Sequence, residues 1–145
     1  MSGAAFEFLE DVTSDLCFVA RGATLPDVFG AAAEALLEAT VEAPESVGES
    51  ETRRVELEEP DLELLLLRFL NELIFLRDAQ QLLLRPRDLR IDASGGGARL
   101  VAELAGERFD RGRHGAAADV KAATAHGLEL ARLDGGFRAK VTLDV

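Results

Sequence analysis

Only one cysteine, Cys17, occurs in the 145 residues, so no internal disulfide can form. Cys17 lies in an apolar run with nothing basic beside it. That makes it a small hydrophobe, not a thiolate nucleophile. No long apolar run is present either. The most apolar stretch, Leu62 to Leu76, is interrupted by Glu63, Arg68 and Glu72 and is too short to span a bilayer. The opening MSGAAFEFLED has no basic n-region and no long apolar core, so no signal peptide is expected. These absences predict a reducing, cytoplasmic setting with no membrane contact.

Basic residues are scarce. Sixteen Lys and Arg stand against 27 Asp and Glu, a net charge of −11. That field repels phosphate backbones and anionic lipid, so direct nucleic-acid binding is not expected. Arg85, Arg87 and Arg90 form one local basic spot, read as a solvated strand face. Only two histidines occur, His114 and His126. There is no Gly-x-Ser-x-Gly, no metalloprotease helix and no Cys/His cluster. The glycine run ASGGG is followed by no lysine and no helix start, which excludes a phosphate loop. His114, alone in a glycine-rich loop, is expected at the surface or in a hydrogen bond.

What is present is a chain with 48% hydrophobic residues. At this length folding buries roughly two-thirds of the extended chain's surface, enough for one domain over 1–145 without a staple. Phe6 to Glu10 and Leu16 to Ala20 read as two strand pieces interrupted at Thr13-Ser14. GATLPDVFGAAAEALLEATVEA reads as a helix, with Thr24 as its cap, Asp27 three residues later and Pro26 in the first turn. Pro44 to Ser50 is a turn-rich link, and TRRVELEE alternates as a strand. EPDLELLLLRFLNELIFLRDAQ predicts a second helix capped by Asp61, central and buried. Its leucines keep no sustained heptad, so they are core and not a zipper. LLLRPRDLRID and ARLVAELAGERF are strands joined by ASGGG. DRGRHGAAAD is a loop. VKAATAHGLELARL alternates as a strand, although its alanines also permit a helix. DGG at Asp134 to Gly136 is a hairpin turn before the closing strand FRAKVTLDV. The expected class is α+β, a largely antiparallel or mixed sheet covered by two main helices.

The acids carry more information. Asp11 and Asp15 stand about 13 Å apart in an unbroken strand, at roughly 3.3 Å per residue. Two oxygens on one calcium lie within about 5 Å of each other. These two therefore share an ion only if the chain folds back at Thr13-Ser14, and one of them needs a partner from elsewhere. VTLDV supplies Asp144, with the backbone end at Val145 beside it. If that strand lies beside the first, Asp15, Asp144 and Val145 form an all-oxygen nest. Such a nest suits calcium or magnesium and not zinc. Without a cation the like charges would repel. Residue chemistry alone still favours the plainer reading, scattered surface acids.

The same positions resemble the archease family. EDVTSDLCFVARG (Glu10 to Gly22) is similar to its opening DHTADV…G motif, and FLNELIFLRD (Phe69 to Asp78) to its WLNELLYLFD helix. GERFDRGRHGAAADVKAATAHGLEL (Gly106 to Leu130) resembles its GExFDxxxH…VKAxTxH block, and VTLDV its VxLDI end. The matches are in order and span nearly the whole chain. The resemblance implies two fused strand-helix-strand-strand units. It also implies a non-enzymatic partner of the GTP-dependent RNA ligase that seals 3′-phosphate ends in tRNA splicing and RNA repair. Archeases help load guanylate onto the ligase histidine and restore the enzyme after turnover. The metal site carries over to Asp15, Asp144 and Val145, with Asp11, His114 and Lys121 as neighbours. The cofactor implied is a divalent cation, calcium first and magnesium second. Val12 stands where the family usually has histidine, which removes a polar group beside the acids. Ser14 for alanine is a mild change. Two rival classes stay open: a metal-dependent hydrolase using Asp11, Asp15 and His114, and a metal-free interaction module or chaperone.

Overall fold

The computed structural model describes residues 5–9 and 15–145. Asp11, Val12 and the Thr13-Ser14 interruption lie outside them. Seven strands and two long helices follow one another as β1 (Ala5–Leu9), β2 (Leu16–Gly22), α1 (Leu25–Thr40), β3 (Glu51–Glu59), α2 (Leu62–Gln80), β4 (Leu82–Asp92), β5 (Ala98–Arg108), the single turn α3 (Arg111–His114), β6 (Ala122–Leu133) and β7 (Gly136–Asp144). The class is α+β, as expected. The strands divide into two sheets, ordered β1-β2-β7-β6 and β3-β5-β4. Among the described residues every strand pairing is antiparallel.

The order discloses an insertion. β3-α2-β4-β5 is a continuous strand-helix-strand-strand unit whose third strand lies between the other two. β2-α1 and β6-β7 make a second unit with the same strand order, split by the first. The two implied units are thus nested, which brings the early strand β2 against the late strand β7.

The helices start where capping chemistry starts them. Thr24 Oγ1 accepts the Asp27 N–H at 3.2 Å, and Asp61 Oδ1 accepts the Leu64 N–H at 2.9 Å. α1 has no basic residue in its last turn. Its end is met instead by the segment after α3. Ala117 N–H donates to Thr40 O at 3.0 Å and Ala118 N–H to Ala39 O at 2.9 Å. α2 stops at Gln81, which adopts the left-handed conformation at φ 59° and donates its N–H to Arg77 O.

Each helix touches strands of both sheets: α1 packs on β2 and β4, and α2 on β6 and β4. Phe18, Phe29, Phe69, Leu65, Leu70, Leu100 and Leu143 are fully buried in the shared core. Removing each such side chain from water contributes about 1.5–3 kcal/mol. Burial on α2 covers Leu65, Leu66, Phe69, Leu70, Leu73, Ile74 and Leu76, one side of the helix. Leu64 and Phe75 stay exposed, so the apolar surface is wider than the buried one.

Two glycines are set by close approach. A Cβ on Gly106 would lie 1.7 Å from Leu83 O, and one on Gly22 2.4 Å from Val28 N. Pro86 sits on edge strand β4, and the β4–β5 register shifts beside it, between Pro86 and Asp88. The ambiguous segment is strand β6, but its alternation does not run through. Thr124 pairs with Thr142 and Glu129 with Lys140, so residues 125–128 bulge opposite Val141 alone. His126 therefore sits exposed in a bulge.

Candidate functional site

β2 and β7 pair from Gly22–Phe137 down to Leu16–Leu143. Leu16 and Leu143 face the core. Asp15 immediately precedes β2, and Asp144 is the last residue of β7, so each adjoins that last pair. Asp15 is half-buried and Asp144 exposed. The fold thus brings the two separated acids to one end of one sheet.

Val145 comes next, its side chain half-buried and packed against the core. That anchoring sets the main chain at Asp144 and Val145 in place. On the other flank, the Lys121 N–H donates to Asp144 O at 2.8 Å, while the Lys121 side chain is exposed. Asp11 lies outside the described residues. Among the described residues, no three His, Cys, Asp or Glu side chains gather closely enough to hold a metal. The donors at this end are carboxylate and main-chain oxygens. Cys17 is buried, and its sulfur accepts from Thr142 Oγ1 at 3.8 Å. An all-oxygen donor set fits a hard cation.

His114 meets the hydrogen-bonding alternative of the sequence expectation and not the surface one. It is 1% exposed. Its Nδ1 accepts the Asp110 N–H at 2.9 Å, so the ring proton sits on Nε2 and is given to Glu107 Oε1 at 2.8 Å. Both ring nitrogens are taken. Phe109 stacks on the ring at 6.0 Å. Glu107 Oε1 also accepts the Gly48 N–H at 2.9 Å and Arg113 Nε at 2.9 Å. The Gly48 N–H and the His114 donor hold the Glu107 carboxyl at about 2, against 4.5 ordinarily. Arg113 further binds Ser46 O. This knot fastens β5 to the link after α1.

The basic spot is not merely solvated. Arg85 pairs with Glu34 at 2.6 Å and also binds Pro44 O, while Arg87 pairs with Glu49 and Arg90 with Asp88. The residues that sequence reasoning passed over are Asn71, Arg77 and Glu107. Asn71 had a signal: one amide in a leucine-rich helix needs a hydrogen-bond partner once buried.

The chain matches the model of the Archease protein family (MTH1598/TM1083) over residues 6–145. The archease of Methanothermobacter thermautotrophicus is 37% identical over 140 residues, 97% of this chain and 98% of that one. The archease of Thermococcus gammatolerans is 37% identical over 92% of this chain and 94% of its own. The solution structure of Methanobacterium thermoautotrophicum protein 1598 superposes with a TM-score of 0.83 at 36% identity, covering 100% of both chains. A crystal structure of an archease from Thermotoga maritima has a TM-score of 0.56 at 19% identity over 94% of this chain and 95% of that one, a likeness of fold.

Proposed function

The chain belongs to the archease family, and from that premise we propose that it is a protein cofactor of a GTP-dependent RNA ligase. It promotes guanylylation of the ligase and its repeated turnover in tRNA splicing and RNA repair, and forms no bond itself. The observation that carries this reading is the β2–β7 pairing, whose last pair, Leu16–Leu143, leaves Asp15 and Asp144 next to the same sheet end. Asp15, Asp144 and main-chain oxygen at Val145 would hold a divalent cation, calcium or magnesium. Bound there, the ion would offset the repulsion between the two carboxylates.

The net charge of −11 supports the same reading. A protein that gripped RNA directly would need a basic surface. One that brings acids to a nucleotide-loaded ligase does not. Within the rival hydrolase reading, His114 would have to act as a base or ligand. Its ring nitrogens are already engaged by Asp110 and Glu107.

Asp144→Asn tests the proposal in a guanylylation assay with the ligase. Asp144 is exposed, so the fold should move by less than about 0.5 kcal/mol while stimulation is lost. Unchanged stimulation refutes the role given to the acids. Calorimetry showing no calcium or magnesium binding at millimolar concentration would favour the metal-free module.

A further inference from the structure

We propose that Asn71 is a positioning residue for the Asp15–Asp144 end, acting from α2 through the main chain of β6. This rests on the reading of that end as a cation site. The Asn71 amide makes two bonds to one residue of an edge strand. Its Nδ2 donates to Ala123 O at 3.0 Å, and its Oδ1 accepts the Ala123 N–H at 2.9 Å. Among the described residues no strand pairs with the far side of β6. The amide takes the place of that missing neighbour, presenting one donor and one acceptor at backbone spacing.

The location gives the contact its meaning. The bulge at residues 125–128 cuts β6 in two. On the Asp144 side only Ala122, Ala123 and Thr124 pair with β7. So short a ladder holds poorly by itself. Yet this stub seats Asp144: Ala122 pairs with it, and the Lys121 N–H binds its carbonyl at 2.8 Å. Arg77, two turns along α2, binds Val120 O just before the stub. α2 thereby clamps the stub from outside while β7 holds it from inside. Beyond the bulge, Glu63 of the same helix accepts the Leu130 N–H at 2.9 Å. That bond is of the same kind but belongs to the other part of β6, which makes it an internal control.

The test compares Asn71→Ala with Glu63→Ala in two measurements. The first is amide exchange at Lys121, read without any cation. Asn71→Ala should accelerate it about tenfold, and Glu63→Ala should leave it within about twofold. The second is calcium affinity by titration calorimetry. Asn71→Ala should weaken it about tenfold, as loss of a supporting contact does at metal sites, with Glu63→Ala unchanged. Unchanged Lys121 exchange in Asn71→Ala overturns the proposal. So do equal effects of the two variants, or faster exchange with calcium affinity intact. If the wild-type protein binds no calcium, the cation reading fails, and the exchange arm alone decides whether Asn71 seats Asp144. Should Asn71→Ala not fold, Asn71→Asp is used for the exchange arm. It keeps the acceptor for the Ala123 N–H but sets a carboxylate oxygen against Ala123 O, so Lys121 exchange should rise. No rise overturns the proposal.

Discussion

Replacing His114 by leucine separates two roles for that residue. Leucine keeps most of the volume, so the main loss is hydrogen bonding. The Asp110 N–H loses its acceptor, and the bond from Nε2 to Glu107 disappears. Glu107 Oε1 keeps the Gly48 N–H and Arg113, so it is not orphaned. One stranded backbone donor and one lost charge-assisted bond cost about 2–4 kcal/mol together. For a chain of this size each kcal/mol lowers Tm by about 3–4 °C, so a fall of about 6–16 °C is expected. The chain has no Trp and no Tyr, so urea unfolding is followed by circular dichroism. The midpoint should drop with the slope unchanged. Below the lowered Tm, the folded variant should still stimulate the ligase. A stability loss under about 0.5 kcal/mol would refute the structural account. Normal stability with lost stimulation would make His114 a working group instead.

Two further outcomes follow from the same geometry. The Glu107 carboxyl lies at about 2 in the folded protein against 4.5 ordinarily, so folding favours its charged form. Its contribution is complete above pH 4.5 and is lost as pH falls from there through about 2. Glu107→Gln should therefore be less stable at neutral pH and flatter between those values, which urea midpoints against pH would show. A parallel curve for the two proteins would refute this. Gly106→Ala places a methyl 1.7 Å from Leu83 O, a rigid backbone atom, whereas Gly95→Ala enters open space. The first should cost about 3 kcal/mol or more and the second almost nothing in thermal unfolding. Equal Tm values would refute the packing argument.

Both helix starts were legible because capping is local chemistry. Thr24 and Asp61 each meet a backbone N–H three residues on. The hairpin at Asp134 to Gly136 was legible for a similar reason, since Gly135 takes φ 79°. β6 was half-legible. Its alternation marked a strand, but a bulge depends on the partner's register and leaves no period of its own. The buried state of His114 was hidden, because its partner Glu107 and the Gly48 N–H belong to separate segments. Arg87 and Arg90 are solvated as expected, but the partner of Arg85 was hidden for the same reason: Glu34 is 51 residues away.

Sequence alone determined the elements, the acidic surface and the all-oxygen character of the acids, since these depend on neighbours along the chain. That Asp15 and Asp144 lie next to one sheet end was decided only by tertiary structure. One strand-helix-strand-strand unit is inserted in the other, and closing the outer unit sets β2 against β7. Register then carries the two carboxylates to the same end, because a ladder fixes every later pair once one is formed.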